Sequence, residues 1–189
     1  GHNYHVFYEN YLSNKKLEKI NILELGAFKG NATAAFYFYF KNAKIFSGDI
    51  FPDLFHYKSQ RINNFYIDTS SENDLKNKLL SKKISFDLII EDAGHYLKDQ
   101  IISLFILFPI VKSNGVFVVE ELDFPDTRKD MNTKNEKPTL REILLSILDK
   151  KDFNSDYITK EQKQYFLNSY NDIKIFKGKY NEIAFITKK

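Results

Sequence analysis

The chain has 189 residues, of which 43% are hydrophobic, so it can bury a core without help from disulfides or structural metals. It contains no cysteine, which excludes a disulfide framework and a thiolate metal site and is typical of a reducing, cytoplasmic compartment. The net charge is only +3, with 28 basic residues scattered among 25 acidic ones, so we expect no nucleic-acid-binding surface.

The chain also lacks a predicted membrane span. Its longest apolar run, residues 101–111, is interrupted by Ser103 and Pro109 and is about half of the roughly 20 residues that a bilayer requires. The first residues contain no basic region followed by an apolar region, so we expect no secretion signal there. We expect one domain over residues 1–189. Because the chain begins Gly1-His2-Asn3 without an initiator methionine, we also expect native residues upstream.

The first half of the chain alternates between helical and buried-strand patterns. Apolar residues at helical spacing predict a leading helix over residues 6–18, and a buried strand follows at 20–25. A helix is predicted at 31–40, with Asn31 as its N-cap. Strands are then predicted at residues 44–49 and 64–68.

The second half continues the alternation. Ser71 or Asn73 is predicted to cap a helix that runs to residue 80, followed by a strand at 86–91 and a helix at 96–108 that stops at Pro109. Asn114-Gly115 predicts a turn before a strand at 116–120. The polar segment 122–138 predicts a loop or lid, Thr139 a helix cap for a helix to 148, and residues 173–176 and 183–187 an antiparallel hairpin.

This pattern predicts an α/β fold: a Rossmann-like, mostly parallel seven-stranded sheet with helices on both faces and a C-terminal antiparallel hairpin. Ligands of such sheets bind beyond the carboxyl ends of the strands. An acidic residue lies at that end of every predicted parallel strand: Glu24, Asp49, Asp68, Asp92 and Glu120. We therefore expect a ligand crevice along this edge.

The segment from Glu24 to Gly30 closes the first strand and opens a helix. Gly26 and Gly30, with Ala27 between them, allow a tight turn and a close approach of the backbone to a ligand. The helix N-terminus beyond can bind an anion such as the carboxylate of S-adenosylmethionine (SAM). NAD enzymes usually have a third glycine, G-x-G-x-x-G, so the G-x-x-x-G pair favours SAM and disfavours an NAD-linked oxidoreductase.

Two further acids extend the predicted cofactor site. Asp49 ends the second strand, where a carboxylate can accept hydrogen bonds from both ribose hydroxyls. Asp68 can approach the adenine, or it can serve as a turn or helix-capping residue, and the sequence leaves both interpretations open.

These motifs resemble class I SAM-dependent methyltransferases and, more specifically, the metal-dependent sugar O-methyltransferases of macrolide and polysaccharide biosynthesis. The resemblance covers most of residues 1–122 and, more loosely, the terminal hairpin. It is carried by these stretches: His2-Asn3-Tyr4, Phe7-Tyr8-Glu9, residues 24–30, Gly48-Asp49-Ile50, residues 91–95, Ser103-Leu104-Phe105, Leu107-Phe108-Pro109 and residues 115–122.

The resemblance implies a chemical centre next to the cofactor. It implies that Asp92, Glu120 and Glu121 bind a metal ion and that His95 is the general base. The oxygen-rich ligand set suits Mg²⁺, with Mn²⁺ or Ca²⁺ as alternatives. Alkyl hydroxyls are poor nucleophiles at neutral pH, so a Lewis acid and a histidine base fit O-methylation of a sugar on a glycan or glycosylated small molecule.

Several alternatives stay open. The family usually has Gly-Ser where this chain has Ala93-Gly94, and aspartate where it has Glu121, which also suits a non-catalytic SAM-binding or partner-binding module. A catechol or other small molecule is the main rival acceptor. Glu91 and Asp123 are substitute metal ligands, and His2 borders the cofactor pocket in one interpretation. His5 and His56 have no assigned role, and family members commonly form homo-oligomers.

Overall fold

A seven-stranded, mostly parallel sheet organises residues 2–189, the part of the chain that the computed structural model describes; Gly1, the start of the predicted N-terminal motif, lies outside the described residues. The strands are β1 (Asn21–Leu25), β2 (Lys44–Asp49), β3 (Ile62–Tyr66), β4 (Phe86–Glu91), β5 (Val111–Val119), β6 (Tyr170–Lys177) and β7 (Glu182–Lys188). Their spatial order is β3-β2-β1-β4-β5-β7-β6. The first five are parallel, and β7 runs antiparallel between β5 and β6. The predicted fold class is confirmed.

After β3, the direction in which successive strands are added to the sheet reverses. The chain builds β1, β2 and β3 outward, then crosses back to place β4 against the other side of β1. At this switch point the Asp92 N–H donates to the Leu25 carbonyl oxygen at 2.9 Å, so the loops after β1 and β4 leave the sheet side by side. A crevice forms where such neighbouring loops diverge.

Helices cover both faces of the sheet. They are α1 (His5–Leu12), α2 (Asn31–Tyr39), α3 (Glu72–Lys78), α4 (Leu97–Leu107), α5 (Phe124–Thr127), α6 (Leu140–Leu148) and α7 (Lys160–Ser169). One core cluster includes residues of α3, α4, α6 and α7, and the other includes residues from α1 and the end of α2. Successive strand residues such as Ile22 and Leu23 belong to opposite clusters, as the two-residue period of a strand requires. None of the helices in residues 2–189 combines the length and apolar character needed to cross a bilayer.

Local signals located several elements correctly. The predicted bounds of β2 and β4 agree with the structure. The Thr139 hydroxyl accepts from the Glu142 N–H at 3.3 Å, and the Glu142 carboxylate accepts from the Thr139 N–H at 2.9 Å, so a reciprocal capping box starts α6. Of the two candidate caps for α3, Ser71 is the one that accepts from a backbone N–H.

Other boundaries were wrong for local reasons. The leading helix ends at Leu12 and continues as a 3₁₀ turn over Ser13–Lys15, where serine and asparagine have low helix propensity. Gly30 occupies the N-cap position of α2 with φ +84°, so Asn31 is its first helical residue.

Three further elements need correction. Asn114-Gly115 lies inside the nine-residue strand β5 and forms an irregularity opposite β4 rather than a turn. Strand β3 lies two residues earlier than predicted. Helix α7 was not predicted, because its sequence is mostly polar and Phe166 is its only buried residue.

Candidate cofactor and metal site

A cleft of about 530 Å³ opens at the carboxyl edge of the sheet, over the switch point. Four of the predicted site residues line it: Gly26, Asp49, Asp68 and Asp92. Gly26, Asp68 and Asp92 lie in the loops that follow β1, β3 and β4, and Asp49 is the last residue of β2. The parallel topology therefore brings together side chains that the sequence separates by up to 66 positions.

Gly26 and Gly30 serve different purposes. Gly26 has φ +91°, and a Cβ atom there would lie 2.0 Å from the Asp92 carbonyl oxygen, so only glycine allows the loops after β1 and β4 to touch. A Cβ at Gly30 would lie 2.5 Å from a ring carbon of Phe55, outside the cleft lining. The Ala27 N–H donates to the Gly48 carbonyl oxygen at 3.2 Å, which anchors the loop to β2.

Asp49 organises the loops around the cleft. Its Oδ2 accepts from the Phe28 N–H at 2.7 Å, and its Oδ1 accepts from the Phe51 N–H at 2.8 Å. Each carboxylate oxygen can accept a second hydrogen bond, so a ribose hydroxyl can still bind there.

Asp68 lines the same cleft and also forms a local turn. Its Oδ1 accepts from the Ser70 N–H at 2.9 Å and from the Ser70 hydroxyl at 2.7 Å. The geometry is compatible with both interpretations of Asp68 offered by the sequence.

Glu24 lies beneath the cleft rather than in its lining. It is 2% exposed and accepts a hydrogen bond from the Thr33 hydroxyl, which links the end of β1 to the first turn of α2. Burial raises the pKa of Glu24 to about 7. Its position supports the loop, and its predicted role as a cofactor-binding residue stays a prediction.

Sequence reasoning assigned no role to three apolar residues at the rim of the cleft. Phe28, Ile50 and Phe51 line it and are 52%, 47% and 61% exposed. Exposed apolar side chains beside hydrogen-bonding acids form the kind of surface that holds a planar base. One sequence signal could have identified two of them: Ile50 and Phe51 directly follow Asp49, the acid that ends β2.

Acidic groups and a histidine gather next to the cleft. Atoms of Asp92, His95 and Glu121 suitable as metal ligands lie within 4.8 Å of one another, and His95 Nε2 is 3.8 Å from Asp92 Oδ1. Glu120 lies outside that group, and its Oε1 accepts from the Tyr8 hydroxyl at 2.6 Å, so its role as a metal ligand stays a prediction. We call Asp92, His95, Glu120 and Glu121 the acid–imidazole cluster.

The electrostatics of this cluster indicate an excess of negative charge. Burial, followed by repulsion from Glu120 and Glu121, raises the pKa of Asp92 well above its usual value. Burial raises the pKa of Glu120 to about 7, although the Tyr8 hydrogen bond opposes this. Carboxyl groups crowded in this way are stabilised by a cation, and their oxygen donors fit Mg²⁺ or Mn²⁺.

The two substitute ligands are less suited to a metal. Asp123 is already engaged, because its Oδ2 pairs with Lys177 Nζ at 3.0 Å and its Oδ1 accepts from the Glu182 N–H at 2.9 Å. Glu91 is fully buried under the cluster, and burial raises its pKa to about 8.

His95 and Glu121 have left-handed backbone conformations, with φ of +56° and +47°. This conformation costs a non-glycine residue on the order of 1–2 kcal/mol, and such strain is concentrated at functional sites. Burial lowers the pKa of His95, so the imidazole is neutral near pH 7 and can accept a proton. Its ring packs edge-on against Phe124 at 5.2 Å between centroids.

The predicted lid, residues 122–138, is a folded segment. It contains α5 and a 3₁₀ turn at Lys129–Met131, and the Asn132 side chain bonds the Pro125 and Glu136 carbonyl oxygens. The Tyr157 hydroxyl donates to the Glu136 carboxylate and anchors the far end. Phe124 places the segment against His95, and its role as a lid stays a prediction.

A second cavity, of about 700 Å³, lies between α1 and α2. It is a mainly apolar groove whose walls include Phe36 and Tyr39, and it reaches the acid–imidazole cluster through Tyr8 and Glu120. His2, by contrast, contacts the cluster directly, with Nδ1 3.4 Å from Glu121 Oε1.

Comparison with known proteins shows the fold. No protein-family model matches the chain, and no curated protein does. Among solved structures, it resembles MycE, a methyltransferase of the mycinamycin biosynthetic pathway crystallised with Mg and SAH, at 18% identity and a TM-score of 0.78. The alignment covers 98% of this chain and 49% of MycE, so the chain spans about half the length of that relative.

Two more distant structures share the architecture. The SAH-bound methyltransferase PaMTH1 of Podospora anserina has a TM-score of 0.53 at 14% identity, with 89% of this chain and 71% of PaMTH1 covered. An O-methyltransferase family protein of Burkholderia thailandensis has a TM-score of 0.56 at 9% identity, with 97% and 56% covered. At these identities the likeness establishes a Rossmann-like methyltransferase fold.

Proposed function

We propose that this chain is a SAM-dependent O-methyltransferase that uses a divalent cation, best Mg²⁺, to methylate a sugar hydroxyl of a glycan or a glycosylated small molecule. The main observation behind the proposal is that Asp92 belongs to two adjoining parts of the site. This residue lines the cleft at the switch point and also belongs to the acid–imidazole cluster. A methyl donor in the cleft would therefore lie next to the groups that activate its acceptor.

The cleft supports SAM as the donor. Asp49 offers acceptor positions for ribose, and Ile50 and Phe51 offer apolar surface for adenine. Helix α2 starts without a side-chain cap, so its first N–H groups are suited to a carboxylate. MycE and PaMTH1 were both crystallised with SAH, the product of SAM-dependent methyl transfer.

The cluster supports activation of a hydroxyl group. Bound SAM supplies a methyl group on a sulfonium centre, and a bound divalent cation lowers the pKa of a coordinated hydroxyl. Asp92 and Glu121 would hold that cation, with Glu120 next to them. The neutral His95 would accept the hydroxyl proton, and the cluster would position the acceptor oxygen beside the cleft that holds the methyl donor.

The sugar acceptor rests on weaker support. MycE was also crystallised with Mg, SAH and mycinamycin VI, and the N-terminal, β4 and β5 motifs of this chain resemble those of sugar O-methyltransferases. Ala93-Gly94 and Glu121 depart from that pattern. Glu121 adds one methylene to the usual aspartate, and its backbone is left-handed, with φ +47°.

Calorimetry followed by an activity assay tests the proposal. We expect SAM and SAH to bind, and Mg²⁺ to be required for methyl transfer to glycoside acceptors in an assay that detects SAH. If SAM does not bind, the proposed enzyme class is wrong. If the methyl group is transferred to catechols but not to glycosides, the acceptor is a catechol and not a sugar.

A non-catalytic SAM-binding module is the second candidate. Ala93-Gly94 and Glu121 favour it, because they stand where the sugar O-methyltransferases that the sequence resembles have Gly-Ser and aspartate. SAM binding without any Mn²⁺ binding would favour this candidate over the enzyme.

A further inference from the structure

The N-terminal helix α1 is hydrogen-bonded to the acid–imidazole cluster. The Tyr8 hydroxyl donates to Glu120 Oε1 at 2.6 Å, across 112 positions of sequence. This is a short bond between a phenol and a carboxylate, of the kind that is stronger than a bond between neutral groups. It joins α1 to the residue that follows β5.

The preceding turn of the same segment contacts the neighbouring acid. The Tyr4 hydroxyl lies 3.4 Å from Glu121 Oε1, and His2 Nδ1 lies 3.4 Å from the same oxygen. Tyr4 and Tyr8 are four residues apart, the spacing that puts two side chains on one face of a helix. Two consecutive acids are thus held by side chains from one short N-terminal segment.

We infer that Tyr8 is a positioning residue that fixes the Glu120 carboxylate for the divalent cation, an inference that rests on the proposed function. The bond occupies Oε1 of Glu120, and Oε2 makes no hydrogen bond within residues 2–189, so it would be available to a cation held by Asp92 and Glu121. Without the phenol, the side chain of Glu120 would sample several rotamers at the edge of the apolar groove. Protein donors behind metal-binding carboxylates typically contribute a factor of about 10–100 to metal affinity.

The ring of Tyr8 is held independently of its hydroxyl. It packs edge-on against Phe36 and Phe185, at 5.8 and 5.2 Å between centroids. Tyr8→Phe therefore removes the donor and leaves the packing. Tyr11→Phe is a matched control, because Tyr11 lies on the same helix and stacks on the same Phe185 at 4.6 Å between centroids. The pKa of Tyr11 is raised by burial and by Asp172, not by an acid of the cluster.

Manganese titration followed by electron paramagnetic resonance of the free ion measures the effect without turnover. We expect Tyr8→Phe to weaken Mn²⁺ binding about tenfold, with the melting temperature and SAM affinity unchanged. Tyr11→Phe should bind Mn²⁺ like the unmodified protein. In a Glu120→Gln background, Tyr8→Phe should have no further effect, because the two residues act as one unit.

Each outcome decides the inference. Unchanged or tighter Mn²⁺ binding by Tyr8→Phe overturns it, and so does an equal loss in the Glu120→Gln background. Asp92→Asn separates this failure from that of the proposed function. If Asp92→Asn leaves Mn²⁺ binding intact, the metal site itself is wrong and the role of Tyr8 fails with it; if Asp92→Asn abolishes binding and Tyr8→Phe does not alter it, only the role of Tyr8 fails.

Discussion

Two residues of the acid–imidazole cluster, His95 and Glu121, have left-handed backbone conformations. Residues other than glycine and asparagine rarely adopt this conformation. Their side chains both belong to the group of potential metal ligands beside the cleft. The conformational cost is local, and the surrounding core compensates for it. Strain at these two positions is what a site selected for chemistry, not stability, is expected to contain.

His95→Asn tests the chemical role without disturbing the backbone. Asparagine tolerates the left-handed conformation, so we expect the melting temperature and SAM affinity to stay close to those of the unmodified protein. Loss of a general base should lower kcat by a factor on the order of 10²–10⁴. Initial rates at saturating SAM and acceptor measure this, and undiminished turnover would exclude His95 as the base.

Glu24 makes stability depend on pH. Its pKa is raised to about 7 in the folded chain, so its favourable contribution is present below its ordinary value near 4.5 and is lost as the pH rises through about 7. Glutamine keeps the acceptor for the Thr33 hydroxyl and does not titrate. Between pH 4.5 and pH 8, Glu24→Gln should therefore gain about 3 kcal/mol of unfolding free energy relative to the unmodified protein.

Urea denaturation at the two pH values, without added metal, gives this difference. The exposed Glu18→Gln is the control and should show little change. A Glu24→Gln variant whose relative stability is the same at both pH values would mean that Glu24 is not protonated on burial.

At the scale of elements, the site depends on how closely two loops approach. The loops after β1 and β4 meet at Gly26 and Asp92, and this contact places the cleft directly beside the cluster. Helices α1 and α2 add the apolar groove behind Glu120. The cleft and the cluster are therefore formed by loops whose relative positions are fixed by the register of the sheet.

Gly26→Ala tests how closely the loops after β1 and β4 approach each other. The new Cβ would collide with the Asp92 carbonyl group, and the residue would be strained at φ +91°, so we expect a loss of about 2–4 kcal/mol in unfolding free energy. SAM affinity should fall with it. Gly94→Ala is the milder comparison, because the nearest atom to its Cβ is the movable Tyr96 ring at 3.0 Å. Equal stability of the two variants in thermal melts would contradict the tight contact at Gly26.

At the scale of the whole molecule, the crowded carboxyl groups link folding to metal binding. A cation that binds only the folded chain stabilises it by about 2.7 kcal/mol at a concentration one hundred times its Kd. For a chain of this size the Tm should rise by roughly 5–10 °C. Calorimetric scans with Mg²⁺, against Na⁺ at matched ionic strength, test this, and Asp92→Asn should lose the shift. An Mg²⁺-independent Tm would count against a metal site.

The residues of this site were predictable only in part from sequence. Asp49 and Asp92 were assigned because acids that follow adjacent parallel strands converge on one edge of the sheet, where ligands bind. The Tyr8–Glu120 bond could not be anticipated, since its partners are 112 positions apart and a tyrosine in an amphipathic segment looks like core. Helix α7 was missed for a related reason: one buried phenylalanine is too weak a periodic signal.

The sequence by itself determined the alternation of strands and helices, the glycine-containing turn after β1 and the placement of acids at strand ends, because periodicity and turn chemistry act over a few neighbouring residues. Only the tertiary structure decided that Glu24 supports the loop from below, that Asp92 joins the cleft to the cluster, and that Glu120 turns toward α1. Those outcomes depend on the close approach of distant segments and on burial, which no local pattern encodes.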